Sequence, residues 1–253
     1  MKFTDLNPHG GIGANCSLCE IGPFKFVIDS GLHPKFAGVE SLPKHDEISR
    51  CTLDFIILTH CHLDHLGSLP ILSREHPDAP VILSYASSIL ARRMLSNSIA
   101  VMKRQRSDLN IPELPFYGRG DLTALYDRLK TPPLHTPFKL NKNGQEIEIT
   151  LHHAGHVAGA VSVSVKYQKK TTFFTGDILF TDQRTLDGAD LPQEPVDILV
   201  TETTRGSTAT PKNQTRESEI VRLLQQVNST LNKGGSVLIP VFALGRMQEM
   251  LFL

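Results

Sequence analysis

Residues 60 to 65, with the sequence HCHLDH, bring three histidines and an aspartate together directly after an apolar run. Because side chains two apart on an extended strand point to the same side, His60 and His62 can reach one cation. Asp64 and His65 follow where the next helix begins and can reach a second cation beside the first. Imidazole and carboxylate groups suit zinc, with manganese or iron as alternatives.

The number and type of these side chains favour a catalytic site over a structural one. A structural zinc site is closed by four ligands, usually including thiolates, whereas a catalytic site keeps an open position. The HCHLDH cluster has no inward-facing thiol and offers more ligands than one ion needs. It therefore indicates an open site for two ions. The alternative is a chance grouping of loop and core histidines.

Two further ligands are available at the ends of later strand-like runs. His156 lies in the Gly-flanked loop HHAGHVAGA, and Asp177 follows the apolar run in FFTGD. The two oxygens of Asp177 can bridge two ions, although an aspartate after Thr-Gly is also a frequent turn residue. His152 and His153 are neighbours on a strand, so one of them must face away. We interpret this pair as core residues or as residues that support a ligand.

The candidate ligands must be positioned by strands and helices, which alternate along the chain. The predicted strands are KFTDL, NCSLCEI, FKFVID, LDFIILT, VILSY, EIEITLHHAG, AVSVSVKYQ, TTFFTGD and VDILVTET. Helical spacing of apolar residues occurs in HLGSLPILSREH, SSILARRMLSNSIAVMKRQ and LTALYDRLK. This alternation predicts an α/β layer architecture.

The last part of the chain predicts the opening of a second α/β domain. An amphipathic helix over TRESEIVRLLQQVNSTLNK begins at Thr215 as its cap and ends at a glycine pair. A buried strand SVLIPV and the start of another helix, GRMQEMLFL, follow.

Composition excludes several classes of protein. The chain has 253 residues, and its 26 basic and 26 acidic residues cancel, so no overall field attracts nucleic acid or an anionic membrane. The sequence shows no signal peptide and no membrane-spanning segment, and cytoplasm is the default compartment. Cys16 and Cys19 lie on a predicted strand and point to opposite faces, which predicts two half-buried thiols rather than a metal or redox pair. Whether the chain forms a homo-oligomer stays open.

The motifs together resemble those of the metallo-β-lactamase superfamily. Its HxHxDH motif is present as HCHLDH, preceded by VIDSG and followed by AGH and TGD. The resemblance implies a four-layer αββα sandwich that holds two zinc ions at one edge, between its sheets. It further implies that Asp29, in VIDSG, supports the ligand histidines from behind.

The resemblance also implies which side chain holds which ion. His60, His62 and His156 would hold one ion, Asp64 and His65 would hold the other, and Asp177 would bridge them.

The segment after Asp177 is similar to the β-CASP nuclease branch of that superfamily. Glu202, in VTETT, matches an acidic branch motif, and GRMQE resembles a helix of the inserted domain. Taken alone, Glu202 would be a surface or capping residue, and Arg246 and Gln248 a polar helix face. The resemblance implies a lactamase-type domain over 1–205 and the start of a β-CASP domain over 206–253.

In two respects the sequence departs from the β-CASP pattern. In that branch the inserted domain continues well beyond this length and supplies a catalytic histidine, and a later histidine completes the shell of the second ion. No residue here matches either of these histidines, so we expect a C-terminally truncated form. The turn HGGIGANC also departs from the usual loop and leaves His9 as either an exposed turn residue or part of the site rim, with the exposed turn favoured.

The resulting hypothesis is a zinc-dependent ribonuclease that acts on single-stranded RNA. Asp64 would orient the attacking water, and Glu202 would support the acid of the leaving group. The basic residues Arg92, Arg93, Lys103, Arg104 and Arg106 could grip RNA, although a solvated helix face is the simpler interpretation. The alternatives are a small-molecule hydrolase of the thioesterase or lactamase type and a non-catalytic scaffold subunit.

Overall fold

Two β-sheets lie face to face at the centre of the protein, for which a computed structural model describes residues 1–48, 51–209, 211 and 213–253. The first sheet runs in chain order through β1 (Lys2–Asp5), β2 (Ser17–Ile21), β3 (Phe24–Ile28), β4 (Phe55–Ile57), β5 (Val81–Ile82) and β6 (Leu129–Lys130). Strands β1 to β3 pair antiparallel, whereas β3 to β6 pair in parallel.

The second sheet has the order β11-β10-β9-β8-β7. Its strands are β7 (Phe138–Lys142), β8 (Gln145–His153), β9 (Val161–Tyr167), β10 (Lys170–Phe174) and β11 (Ile198–Val200). Strand β11 pairs with β10 in parallel, and the other pairs are antiparallel. The carboxyl ends of β10 and β11 therefore lie at the same edge of the sheet.

Helices accompany both halves of the chain. Their bounds are α1 (Leu63–Leu66), α2 (Leu69–Glu75), α3 (Tyr85–Asp108), α4 (Arg119–Tyr126), α5 (Arg216–Asn232) and α6 (Arg246–Leu251), with short 3-10 turns at Gly38–Ser41 and His45–Glu47. Thr215 is the N-cap of α5, as predicted, and its hydroxyl accepts a hydrogen bond from the Ser218 backbone N–H. None of the described helices is long and apolar enough to cross a membrane.

Two apolar cores hold the layers together. One lies between the sheets and includes Phe26, Phe55 and Val163; the other lies between the first sheet and helices α1 to α4 and includes Leu69 and Leu95. Because neighbouring side chains on a strand face opposite ways, strands β2 to β5 each contribute to both cores. The two sheets and the helix layer against the first are consistent with the expected sandwich, whereas helix α5 buries none of its side chains.

The same alternation separates the two thiols near the N-terminus. Cys16 packs in the core beside the helices and Cys19 in the core between the sheets. The prediction that they point to opposite faces is therefore confirmed, but both thiols are fully buried rather than half-buried. Burial raises the pKa of Cys19 to about 12 and that of Cys16 further still, so both thiols stay protonated at neutral pH.

The secondary structure differs from prediction in three places. The segment LTALYDRLK was predicted as a helix, but α4 ends at Tyr126 and Leu129–Lys130 form strand β6. Strand β7 was missed, because FKLNK alternates too few apolar residues to be distinguished from the preceding Pro-rich loop. The segment SVLIPV is not a buried strand: it has no strand partner among the described residues, and the side chain of Leu238 is 92% exposed. An apolar run indicates a strand only where a neighbouring strand can satisfy its backbone groups.

A buried polar cluster connects the loop after β3 to α1 and α2. Nε2 of His45 lies 3.0 Å from the hydroxyl oxygen of Ser30 and 3.4 Å from that of Ser68. The Ser68 hydroxyl also donates to the carbonyl of Gly31 at 2.8 Å. Burial, reinforced by the charge of His76, lowers the pKa of His45 to about 4. His45 is therefore neutral in the folded protein at pH 7.

We expect His45 to make the folded state sensitive to acid. Below its ordinary pKa of 6.5, His45 binds a proton in the unfolded chain but not in the folded one, so its stabilisation is complete above pH 6.5 and is lost as pH falls toward about 4. Between about pH 7.5 and about pH 5 this lowers the free energy of unfolding by about 2 kcal/mol. His45→Gln should lack that loss.

Denaturant unfolding at the two pH values, with a chelator present, measures the difference. Equal pH dependence in His45→Gln and wild type would contradict the expectation.

Candidate metal centre

The candidate site lies where strand ends from both sheets meet. Asp29 and His60 follow the parallel strands β3 and β4, His156 lies in the loop between β8 and β9, and Asp177 follows β10. Because β3 and β4 are parallel, their carboxyl ends reach the same edge of the sheet. The packing of the two sheets brings the later loops to that edge.

Four of the predicted ligands form one compact group. Their ligand atoms, on His60, His62, His156 and Asp177, all lie within 4.8 Å of one another. Nδ1 of His62 is 3.1 Å from Nε2 of His60 and 3.2 Å from Nε2 of His156. A carboxylate oxygen of Asp177 is 3.4 Å from Nε2 of His156. Nitrogen ligands of a tetrahedral zinc ion would lie about 3.3 Å apart, so these spacings fit a metal ion.

The outer nitrogens of three histidine rings face hydrogen-bond acceptors. Nδ1 of His60 lies 3.1 Å from the Thr59 hydroxyl, Nδ1 of His65 lies 2.7 Å from a carboxylate oxygen of Asp29, and Nε2 of His62 lies 3.2 Å from the Leu244 carbonyl. Each outer nitrogen that donates its proton leaves the inner nitrogen with a free lone pair. Lone pairs crowded together in this way repel one another unless a cation lies between them. Hydrogen bonds from the outer ring nitrogen to an acceptor are also what orients histidines that bind metals.

Burial and nearby carboxylates shift the pKa values of the histidines in the site in opposite directions. Burial, together with the neighbouring histidines, holds the pKa of His60 well below its ordinary value, and burial lowers the pKa of His156 as well. Burial acts in the same direction on His65, but the carboxylates of Asp29 and Asp177 outweigh it and raise its pKa well above 6.5. The site thus combines neutral imidazoles at His60 and His156 with an imidazole at His65 that favours the protonated form.

The predicted ligands of a second ion lie beside the first group. Nε2 of His65 is 3.4 Å from Oδ1 of Asp177 and 3.7 Å from Oδ2 of Asp64. The amide nitrogen of Asn15 is 2.9 Å from the same His65 nitrogen and 3.4 Å from the same Asp64 oxygen. Asp177 therefore faces both groups, which a bridging ligand must do, while Asn15 lies between Asp64 and His65.

Asp29 supports the site from behind. Its carboxylate accepts hydrogen bonds from the backbone N–H and the hydroxyl of Thr59, both at 2.7 Å, and contacts His65. Its backbone adopts the left-handed conformation, with φ of 60°, which aspartate tolerates better than most residues. Gly31 follows in the same turn, and a Cβ there would lie 1.7 Å from the carbonyl oxygen of Asp64. Only glycine allows this loop to pack against α1.

Comparison with known proteins identifies the family. The model of the metallo-β-lactamase superfamily matches residues 9–230. The chain belongs to this superfamily. Divalent metal binding is the property that the superfamily implies, and the group formed by His60, His62, His156 and Asp177 can hold such an ion.

Curated relatives match the chain over its whole length. Endoribonuclease ysh1 of Schizosaccharomyces pombe is 32% identical over 254 residues, and Endoribonuclease YSH1 of Yarrowia lipolytica is 33% identical over 253 residues. Cleavage and polyadenylation specificity factor 73 of Drosophila melanogaster is 30% identical over 254 residues. The matches cover all of this chain but only 32%, 29% and 35% of these relatives, respectively. They confirm the resemblance to the β-CASP nucleases.

The remaining predicted residues lie outside the ligand group. The Glu202 carboxylate accepts hydrogen bonds from the backbone N–H groups of Ile178 and Thr204, at 3.1 and 3.3 Å, so it holds the loop that follows Asp177. His152 is buried against Ser164, with 2.9 Å between Nε2 and the hydroxyl oxygen.

His153 and His9 make hydrogen bonds to residues outside the ligand group. Nε2 of His153 is 3.0 Å from the Asp187 carbonyl. His9 is exposed, its ring stacks on Phe36 with 4.1 Å between centroids, and Nε2 is 2.9 Å from the Glu40 carbonyl.

Several residues that shape the site were missed from the sequence. Asn15 comes from the turn GGIGANC, where only its nearness to a Gly-rich loop could have drawn attention. Thr59 directly precedes the HCHLDH motif and could have been noticed as its neighbour. Leu244 contributes a backbone carbonyl, which no side-chain motif can reveal.

We expect metal binding to depend on His62, because its ring nitrogen lies within 3.2 Å of two other ligand atoms. His62→Ala should lose most of the bound zinc, measured by elemental analysis after dialysis of untagged protein. His152→Ala is the control, since it removes a buried histidine outside the ligand group. Equal metal content in wild type and His62→Ala would refute the assignment.

Asp29 should influence metal affinity without being a ligand. Asp29→Asn removes the charge beside His65 and replaces one acceptor oxygen by a donor nitrogen. Supporting changes of this kind weaken metal affinity by about 10–100-fold. Competition with a chelator measures the dissociation constant, and circular dichroism checks that the variant remains folded. A folded Asp29→Asn with wild-type affinity would contradict this role.

Proposed function

We propose that the complete protein containing this sequence is a metal-dependent endoribonuclease that hydrolyses phosphodiester bonds of RNA. The observation on which the proposal rests is the four-residue ligand group, found in a chain that relatives named endoribonucleases match from end to end. The chain spans about a third of the length of those relatives, so activity is proposed for the whole polypeptide.

We assign the ligands to two zinc ions. His60, His62 and His156 would hold the first, Asp64 and His65 would hold the second, and Asp177 would be shared by both. When bound, zinc would supply Lewis acidity, which would activate water and neutralise charge that develops on the phosphate. The 3.4 Å distances from Asp177 to His156 and to His65, made by different carboxylate oxygens, support the bridging role.

The protein's own side chains position the reacting groups. Asp64 has a carboxylate on the partly exposed side of the cluster, where it can accept a proton from the attacking water and orient it. Glu202 holds the backbone of Ile178, next to Asp177. Its contribution is therefore to position Asp177, in addition to the support of a leaving-group acid expected from the β-CASP resemblance.

Two of the basic residues on α3 that could contact RNA already form contacts within the protein. The guanidinium of Arg92 lies 4.2 Å from the ring centroid of Tyr126, and Arg104 forms an ion pair with Asp108 at 3.1 Å. These intramolecular contacts favour the interpretation of α3 as a solvated helix face.

The two alternatives are less well supported. A small-molecule thioesterase or lactamase would share the metal site but not the similarity that extends through the GRMQE segment to the end of the chain. A scaffold subunit that has lost its ligands would not keep His60, His62, His156 and Asp177 within one group. The domain division at residues 205 and 206, the cytoplasmic location and a homo-oligomeric state remain predictions.

We expect the complete protein to cleave single-stranded RNA through Asp177. Asp177→Asn should lower the cleavage rate at least 100-fold, because the bridging carboxylate loses its charge. The assay follows internal cleavage of a labelled RNA, with lactam and thioester substrates in parallel. Asp187→Asn, which alters an aspartate outside the ligand group, is the control.

The outcome also separates the candidate functions. Wild-type cleavage rates in a folded Asp177→Asn variant would show that another site cleaves RNA. Rapid turnover of a lactam or thioester, without RNA cleavage, would favour the small-molecule hydrolase.

A further inference from the structure

The GRMQE segment lies against the metal site. Nε2 of His62 is 3.2 Å from the carbonyl oxygen of Leu244, the residue before this segment, although the two residues are 182 positions apart. The bond leaves Nδ1 of His62 free to face His60 and His156. One of the three histidines in the ligand group is thus oriented by the backbone of a distant part of the chain.

Two residues of the segment maintain the turn that presents this carbonyl. Gly245 has φ of 94°, and a Cβ there would lie 2.6 Å from Cγ1 of Val157, so only glycine allows the turn to approach the His156 loop so closely. The side chain of Gln248 accepts from the backbone N–H of Gly245 at 2.7 Å and donates to the carbonyl of Ala243 at 3.0 Å. Gln248 therefore holds the backbone on both sides of Leu244.

A second connection reaches the loop that contains His156. The amide nitrogen of Gln183 donates to the carbonyls of Gly155 and His156, at 2.7 and 3.1 Å. Arg246, in the GRMQE segment, donates to the amide oxygen of Gln183 at 3.4 Å. The backbone of a second candidate ligand is thus held by a side chain that contacts the same segment.

Glu249 joins these two connections. Its carboxylate is buried and accepts hydrogen bonds from the backbone N–H groups of Arg184 and Thr185, at 3.3 and 2.8 Å, and from the Thr185 hydroxyl at 2.5 Å. Arg216, at the start of α5, donates to it at 2.5 Å. Burial raises the pKa of Glu249, but these hydrogen bonds and the Arg216 charge outweigh it and hold the pKa below its usual value. An ionised Glu249 therefore fastens α6 to the loop that begins at Gln183.

We propose that the GRMQE segment is a positioning element of the metal site, in which Glu249 clamps the Gln183 loop so that Leu244 orients His62 and Gln183 orients the His156 loop. The inference rests on the metal-dependent function proposed above. None of these residues is a ligand or a catalytic residue; each acts through His62 or His156. Because the contacts converge on two ligands of one ion, the segment should influence the affinity and geometry of that ion rather than global stability alone.

The test compares two glutamates that each pair with an arginine. Glu249→Gln removes the charge of the buried clamp, whereas Glu219→Gln makes the same change at a partly exposed residue paired with Arg222 on α5. Cobalt(II) replaces zinc as the probe, because its visible spectrum reports coordination geometry. We expect Glu249→Gln to weaken cobalt binding about 10–100-fold and to alter the spectrum, and Glu219→Gln to match wild type.

A second variant keeps the inference testable should Glu249→Gln fail to fold. Gln183→Glu preserves the size of the side chain but turns an oxygen toward the two carbonyls that the amide nitrogen now contacts. We expect it to weaken cobalt binding by a similar factor while circular dichroism remains that of wild type.

The outcomes distinguish this inference from the proposed function. Normal cobalt affinity and an unchanged spectrum in folded Gln183→Glu and Glu249→Gln, with tight binding by wild type, would overturn the positioning role and leave the metal site intact. Failure of wild type itself to bind cobalt or zinc would overturn the proposed function and this inference with it. Loss of binding in the control Glu219→Gln as well would show a general effect of α5 and would also overturn the inference.

Discussion

The buried carboxylate of Asp29 is the interaction on which the arrangement of the site depends. It accepts both hydrogen bonds of Thr59 and contacts His65, and the Thr59 hydroxyl in turn contacts His60. A buried carboxylate is costly unless it is fully hydrogen-bonded. Its partners therefore must stay in place, and one side chain determines how the ends of β3 and β4 meet and how two histidine rings are turned.

The other half of the site comes from parts of the chain that are distant in sequence. The second sheet supplies His156 and Asp177 through loops that reach the same edge, and Leu244, just before α6, contacts His62 and packs against the apolar cluster of the His156 loop. The ligand group is consequently complete only when both sheets are packed together. Metal binding to such a site contributes free energy to folding, since the ligands converge only in the folded chain.

The chemistry of the site and the choice of substrate have different origins. Imidazole and carboxylate ligands at an open edge can support hydrolysis in general, and one fold can host many such activities. The proposal of RNA as substrate rests on the relatives that match the whole chain. The GRMQE segment links the substrate question to the metal site, because it lies in the part of the chain that resembles the nuclease branch and directly follows Leu244, whose carbonyl contacts His62.

The sequence alone determined the local features, because they follow from spacing along one strand or helix. The alternation of HCHLDH predicted that His60 and His62 act together, the apolar runs predicted β4, β9 and β10, and Thr215 marked the start of α5. Segment SVLIPV shows the limit of this reasoning: its composition is that of a buried strand, yet no strand pairs with it among the described residues.

Only the tertiary structure decided which distant groups meet. The amide of Asn15 between Asp64 and His65, the Leu244 carbonyl at His62 and the Glu249 clamp depend on how the sheets and loops pack. Such contacts leave no periodic signal, since a backbone carbonyl can come from any residue type and an amide side chain is common in turns.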